Sequence, residues 1–307
     1  MSRRKAAVSA AVAGRELRQP ARSSGLPSEW LLTLATHRSR TGYRARRQLD
    51  RAGSRVELTT SDGIRIAGWL SRGCDPARAC LIVCHGYRGS SLQSLPWFKL
   101  AARMECSCLA FDFRAHGASE GRATTCGCHE ILDLTAAVDY ISANRLCPGG
   151  LVVCGLSMGA STAIRLAARD PRITAVIAES PYLTLERAAH AWFRSAVGPV
   201  GPVLADAMCR AATRRWNIDP AEISPISAAA ALSATPLLVL AAGRDKLTPL
   251  ESVRQIAAAA PLGELLVLPH ASHAECWSSD EAAVAAAAEA FLRSAADRRT
   301  AAQKPDV

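Results

Sequence analysis

An α/β domain, with a mostly parallel eight-stranded sheet covered by helices on both faces and a small helical lid, is what this 307-residue sequence predicts. Three observations carry that expectation. Short apolar runs alternate with helix-like segments from residue 56 onward. The runs are continuously apolar, as in strands buried on both faces. A single long stretch, Pro181–Pro220, interrupts the alternation where a plain crossover needs far fewer residues.

The elements follow in order. Strands are expected at Arg55–Thr59 and Ile64–Leu70, joined by the turn signal Ser61-Asp62-Gly63 as a hairpin. Further strands are expected at Ala79–Cys84, Ser107–Asp112, Leu151–Leu156, Ile173–Ala178, Leu237–Ala242 and Leu265–Pro269. Helices are expected near 92–104, 129–143, 158–169, 250–260 and 279–296. The interruption at 181–220 carries Trp192, Phe193, Gly198-Pro199, Gly201-Pro202, Met208 and Trp216, and reads as the lid over the carboxyl edge of the sheet. The uncharged stretch 223–243 is long enough for a bilayer. Pro225 and Pro236 divide it into helix, turn and strand, so no transmembrane span is expected.

Composition narrows the class. The chain is 49% hydrophobic and 21% charged, with 20 Gly and 16 Pro, which excludes collagen, coiled coil and wholesale disorder. The net charge is +10, but residues 1–55 hold thirteen Lys and Arg against three acids, and the remainder holds 24 of each sign. The body is therefore neutral and has no long-range attraction for a phosphate backbone; no nucleic-acid partner is expected. The division is then a basic arm (1–55), one domain (56–297) and a tail (298–307). Arg3-Arg4 makes a poor twin-arginine signal. Ser28–Leu34 is the one amphipathic piece of the arm, which is read as solvated, with peripheral membrane contact as the lesser alternative.

Eleven scattered cysteines suit a reducing cytosol. The tightest group, Cys126-Gly127-Cys128-His129, is closer-spaced than a zinc-binding Cys-x-x-Cys pair and has no second pair, so no metal and no cofactor are expected.

The chemistry-bearing motif is Gly155-Leu156-Ser157-Met158-Gly159 between a strand and a helix. A tight strand-to-helix turn strains the serine and exposes its hydroxyl, and the helix amino terminus favours negative charge beside it. His85-Gly86-Tyr87-Arg88-Gly89 follows the third strand, where the N–H groups of Tyr87 and Met158 can meet as a two-donor oxyanion site. For the base, His273 is the expectation and His270 its rival; His85 and His116 lie in strand-end loops and are expected to hold backbone. For the acid, Asp245 follows the penultimate strand, and Glu179 is the rival on an adjacent one. The order Ser157, Asp245, His273 is the nucleophile–acid–base order of one scaffold.

Over residues 56–293 the chain resembles the α/β-hydrolase superfamily, and within it the bacterial hydrolases related to serine aminopeptidases and small-lid esterases. The residues that carry the resemblance are HGYRGS (85–90), DFRAHGASEG (112–121), GLSMGAS (155–161), SPYLTL (180–185), DPAEISPI (219–226), AGRDKLTP (242–249) and HASHAE (270–275). It implies a triad of Ser157, Asp245 and His273, with Tyr87 and Met158 as oxyanion donors, and a structural loop at Asp112–Gly121. His270 stands where relatives often carry a small residue, and the basic arm replaces a hydrophobic anchor seen in some.

The expected reaction is acyl transfer. His273 takes the Ser157 proton, Ser157 attacks an acyl carbonyl, and water releases the acid, with activity rising as the imidazole loses its proton. Trp192 and Phe193, with Trp277 four residues after His273, are the expected borders of an apolar acyl pocket. A carboxylic ester is the leading small-molecule substrate. A thioester or an amide is open to the same triad, aminopeptidase action would require Glu179, Glu186 or Asp206 to hold a substrate ammonium, and a catalytically silent binding module is the non-enzymatic alternative.

Overall fold

The computed structural model of the protein describes residues 36, 37, 39, 43–75 and 78–303. The elements run α1 (Tyr43–Ala52), β1 (Ser54–Thr59), β2 (Arg65–Ser71), β3 (Cys80–Cys84), α2 (Leu95–Arg103), β4 (Ser107–Phe111), α3 (Glu130–Ala143), β5 (Leu151–Leu156), α4 (Met158–Ala167), β6 (Ile173–Glu179), α5 (Leu185–Val197), α6 (Gly201–Trp216), α7 (Pro225–Ala230), β7 (Leu237–Ala242), α8 (Leu250–Ala259), β8 (Gly263–Leu268), α9 (Cys276–Ser279) and α10 (Glu281–Gln303). One sheet takes all eight strands in the order β1-β2-β4-β3-β5-β6-β7-β8. Only β2 is antiparallel to its neighbours.

Successive side chains of a strand point to opposite faces, so a strand buried on both sides is apolar throughout. In β7, Leu237, Val239 and Ala241 join the core cluster packed with α3, α4 and α8. Leu238, Leu240 and Ala242 join the cluster on the other face, with α1, α2 and α10. The hairpin between β1 and β2 closes with Thr60 N–H donating to the Ile64 carbonyl at 3.0 Å, and Gly63 adopts a φ of 80°. Of the uncharged stretch 223–243, α7 and β7 are the two ordered pieces, and no helix among the described residues is long and apolar enough to cross a membrane.

The domain extends past both expected limits. On the arm side of residue 55, α1 lies against the sheet: Leu49 is buried in the same cluster as Trp69, whose indole N–H donates to Asp50 at 2.9 Å. Farther upstream, Thr124 N–H donates to the Thr36 carbonyl at 3.0 Å, and Gly117 N–H to the Ser39 carbonyl at 2.9 Å. Thr36 and Ser39 are therefore part of the folded body. The expected helix at Ser28–Leu34 lies outside the described residues. At the other end, residues 298–303 are not a separate tail, because α10 continues to Gln303. Its alanine-rich sequence contains neither Gly nor Pro, and Arg298 ties it to Glu264 at 3.3 Å.

Residues 181–220 hold α5 and α6, joined by a single 3-10 turn at Gly198–Val200. The two helices share a small core of their own around Ala189, Phe193 and Ala205, and His190 Nε2 meets Asp206 at 2.7 Å.

Candidate active site

Ser157 begins where β5 ends and α4 starts. Its φ of 50° and ψ of −109° place a non-glycine residue in a sparsely populated region, which the surrounding packing must hold. Ser157 N–H donates to the Glu179 carbonyl at 2.8 Å, and the Ser157 carbonyl accepts from Ser161 N–H at 2.9 Å. The flanking glycines are steric necessities. A Cβ at Gly159 would overlap the carbonyl of Cys84 on the neighbouring strand, and one at Gly155 would sit 2.5 Å from the Gly159 carbonyl.

The structure brings Ser157, His273 and Asp245 together from three separate loops at the carboxyl edge of the sheet. His273 Nε2 lies 3.0 Å from Ser157 Oγ, and His273 Nδ1 lies 2.7 Å from Asp245 Oδ2. Asp245 accepts further bonds on Oδ1 from the N–H groups of Leu247 (2.8 Å) and Thr248 (2.9 Å), and on Oδ2 from the Thr248 hydroxyl (2.6 Å). Burial pushes the Asp245 carboxyl up. The imidazole and the Thr248 donors outweigh it and hold the group below the ordinary carboxylate range.

The two rivals sit elsewhere. His270 is exposed and meets Arg244 at 3.3 Å. Glu179 accepts the Cys276 N–H at 2.9 Å, which fastens the far end of the loop carrying His273; its burial raises its pKa.

Tyr87 and Met158 both line the cavity at Ser157. The register Cys84↔Gly155 sets the loop after β3 beside the Ser157 turn, and an added Cβ on Gly86 would lie 3.6 Å from Ser157 Cβ. Met158 is the first residue of α4, where backbone N–H groups have no carbonyl partner inside the helix. The loop is held at several points. Gln93 Oε1 accepts from Gly86 N–H at 3.0 Å. His116 Nε2 accepts from Arg88 N–H at 3.1 Å, and His85 Nε2 accepts from Phe113 N–H at 2.9 Å. Each of these imidazoles must then carry its proton on Nδ1, donated to the Arg114 carbonyl (2.8 Å) and the Gly86 carbonyl (2.7 Å) respectively. Burial drives His85 down to about 4 and lowers His116, so both are held neutral. Asp112 accepts from Ser91 N–H and hydroxyl at 2.8 and 2.7 Å and from Ala118 N–H, a backbone-fixing arrangement.

A cavity of about 330 Å³ opens on Ser157 and His273. Its wall on the side of α5 and α6 is apolar, with Leu185, Ala189, Trp192, Phe193, Met208 and Trp216. Trp192 and Phe193 are both in this wall. Trp277 does not line the cavity: its ring packs edge-on against Trp97 at 4.9 Å, on the α2–α10 side of the sheet. The short helix α9 turns that side chain under the sheet.

Sequence reasoning missed Thr36, Gln93, Cys126, Thr248 and Ala212, all in the lining. Only Thr248 left a local signal, a hydroxyl three residues after Asp245 where it can bond back to the carboxylate. Cys126, Cys128 and His129 form no metal cluster, and among the described residues no three His, Cys, Asp or Glu side chains gather to hold a metal. All eleven cysteines are free.

Comparison with known proteins agrees with this architecture. The Mycobacterium tuberculosis protein Rv2307c, itself uncharacterized, is 29% identical over 228 residues, 72% of this chain and 73% of that protein. The polyketide transferase grgF of Penicillium sp. is 31% identical over 137 residues, 42% of this chain and 45% of its own. Among solved structures, the Pyrococcus furiosus esterase Pf2001 superposes with a TM-score of 0.69 at 26% identity, covering 84% of this chain and 97% of that one. The sequence profile of the alpha/beta hydrolase family matches residues 81–288. A strained serine at a strand-to-helix corner, an eight-stranded sheet and a profile match over most of the sheet converge: this chain is a hydrolase and belongs to the α/β-hydrolase family.

Proposed function

We propose that the chain is a serine hydrolase that cleaves carboxylic esters bearing an apolar acyl group. One observation carries the reading: Ser157 Oγ, His273 and Asp245 form a continuous hydrogen-bonded chain of 3.0 and 2.7 Å at the floor of an apolar cavity. His273 Nε2 takes the Ser157 proton as Oγ attacks the acyl carbonyl. Asp245 fixes the imidazole with Nδ1 protonated and stabilises its charged form without accepting the proton. The oxyanion rests on the N–H groups of Tyr87 and Met158, held ready before charge develops. His273 then gives its proton to the departing alcohol, activates water, and the acyl-serine hydrolyses.

The esterase neighbour supports the ester reading. A thioester is the second reading, supported by a relative in Aspergillus aculeatus, the thiohydrolase aneE, 29% identical over 134 residues. Aminopeptidase action has less support. Glu179, Glu186 and Asp206 are all absent from the cavity lining, which holds no carboxylate among the described residues, so nothing there would neutralise a substrate ammonium.

The test is a panel of 4-nitrophenyl esters of increasing acyl length, with an aminoacyl amide, on wild type and Ser157→Ala. A fluorophosphonate probe read by mass spectrometry is expected to label Ser157 alone. Equal turnover by Ser157→Ala, or labelling elsewhere, overturns the reading.

A further inference from the structure

A second cavity, of about 470 Å³, lies between α5 and the Lys246–Ser252 segment after β7. Its charged lining residues are Arg187 and Arg194 from α5 and Lys246 from the loop, with the His190 imidazole in the same wall. Among the described residues, no Asp or Glu lines it. His190 is bonded to Asp206 across the helical pair, whereas no carboxylate pairs with Arg187, Arg194 or Lys246 among the described residues. Arginines elsewhere are commonly matched: Arg114 reaches Asp62 and Asp133, and Arg172 reaches Asp139 and Asp170. Three unmatched cations around one concavity, with Ser195 and Ser252 in the same wall, make an environment for a multivalent oxyanion.

Its position gives the site a meaning. The two cavities share Tyr182, Ala188, Leu247 and Thr248 as common walls. Leu247 and Thr248 are the residues whose N–H groups hold Asp245, so the cationic groove borders the imidazole side of the site. In acyl transfer the imidazole returns its proton to the departing atom, and the departing group therefore lies on that side.

We propose that this groove binds a phosphate-class anion carried on the leaving group of the substrate. The inference rests on the serine-hydrolase reading above and specifies its substrate. The acyl part occupies the apolar cavity, and a phosphorylated alcohol or thiol lies along the groove. The Ser157 Oγ–carbon bond forms, the carbon–oxygen or carbon–sulfur bond to the leaving group breaks, and the leaving atom takes the proton that His273 removed from Ser157. The products are acyl-Ser157 and a free phosphorylated alcohol or thiol.

Two matched pairs of substrates test it: butyryl-coenzyme A against S-butyryl-N-acetylcysteamine, and 1-butyrylglycerol 3-phosphate against monobutyrin. At least one phosphorylated member is expected to exceed its neutral partner by about tenfold in kcat/KM, and the preferred pair distinguishes thiol from alcohol. That preference is expected to shrink to about twofold or less in Arg187→Gln/Arg194→Gln/Lys246→Gln, and in wild type at about 0.5 M NaCl. Isothermal titration of inorganic pyrophosphate into full-length Ser157→Ala is expected to show saturable binding that the triple substitution removes. The three side chains are exposed, and circular dichroism of the triple variant checks that the fold is retained. Absence of preference in both pairs, preference unmoved by the triple substitution, or no pyrophosphate binding overturns the proposal. Because the titration needs no turnover, its failure beside intact hydrolysis of neutral esters overturns the groove alone. Saturable binding without any ester turnover overturns the hydrolase reading and the leaving-group assignment that rests on it, and leaves the groove as an anion site.

Discussion

The Thr248 hydroxyl and the His273 imidazole both donate to the same oxygen of Asp245, at 2.6 and 2.7 Å. The carboxylate is thus aimed by a residue that does not itself reach the serine. Removing that donor leaves Asp245 Oδ2 held by the imidazole alone, with only the backbone N–H groups on Oδ1 to fix the carboxylate. Thr248→Val is expected to lower kcat about tenfold, the loss of one hydrogen bond to a charged group, with the thermal midpoint little changed. Thr248→Ser is expected to recover most of it. Steady-state kinetics beside thermal melts checks both; a Thr248→Val enzyme with wild-type kcat shows that Asp245 needs no such support.

Gly159 is packed against the backbone of Cys84 with no room for a methyl group. Gly159→Ala forces the α4 start away from β3, an overpacking change that costs about 2 kcal/mol or more. The expected outcome is a thermal midpoint lowered by several degrees together with loss of activity, since the same displacement moves Met158 from Ser157. Unchanged melting would show that the close approach is relieved by a small shift.

Acid sensitivity follows from the buried imidazoles. His85 is held at about 4, against about 6.5 for an unfolded histidine. The unfolded chain therefore binds a proton that the folded chain refuses, and stability falls as pH drops from about 6.5 to about 4, by about 3 kcal/mol at the limit. His116, also lowered by burial, acts in the same direction. Protonation would set a new N–H on His85 Nε2 against the Phe113 N–H. Urea titrations at several pH values are expected to show this slope in wild type and a shallower one in His85→Gln, whatever its stability at pH 7. Parallel slopes would assign the acid sensitivity to other groups.

Of the α6 residues that line the apolar cavity, Met208, Cys209, Ala212 and Trp216, Ala212 is the smallest. It is nearly buried. Ala212→Phe is expected to cut kcat/KM for an octanoyl ester at least about tenfold while sparing an acetyl ester, since each excluded methylene is worth about 0.8 kcal/mol. Equal effects on both esters would mean that the acyl chain leaves by another route.

The sheet was legible because strands buried on both faces must be apolar throughout: Cys80–Cys84 and Leu237–Ala242 carry no polar residue. The Ser157 corner was legible because steric crowding at Gly155 and Gly159 leaves a sequence trace. The fastening of the arm was not. Thr36 and Ser39 dock through backbone groups on Ala115, Gly117 and Thr124, and backbone bonding leaves no side-chain signature. Trp277 was misjudged because spacing from His273 says nothing about which face α9 turns inward. The cationic groove escaped notice for a related reason, since Arg187, Arg194 and Lys246 are dispersed in sequence and converge only when α5 lies beside the loop after β7.

The docking of Thr36 and Ser39 has a practical corollary for anyone attaching this protein to something else. Thr36 sits in the wall of the cavity, so a label attached at that side chain stands at the substrate doorway. Gln303 ends a helix whose last turns lie by Glu264 and Gly150, at the starts of β8 and β5 and thus on the opposite rim of the sheet. A tether placed there leaves the doorway open, and immobilisation by the carboxyl end is the orientation that keeps substrate traffic unobstructed.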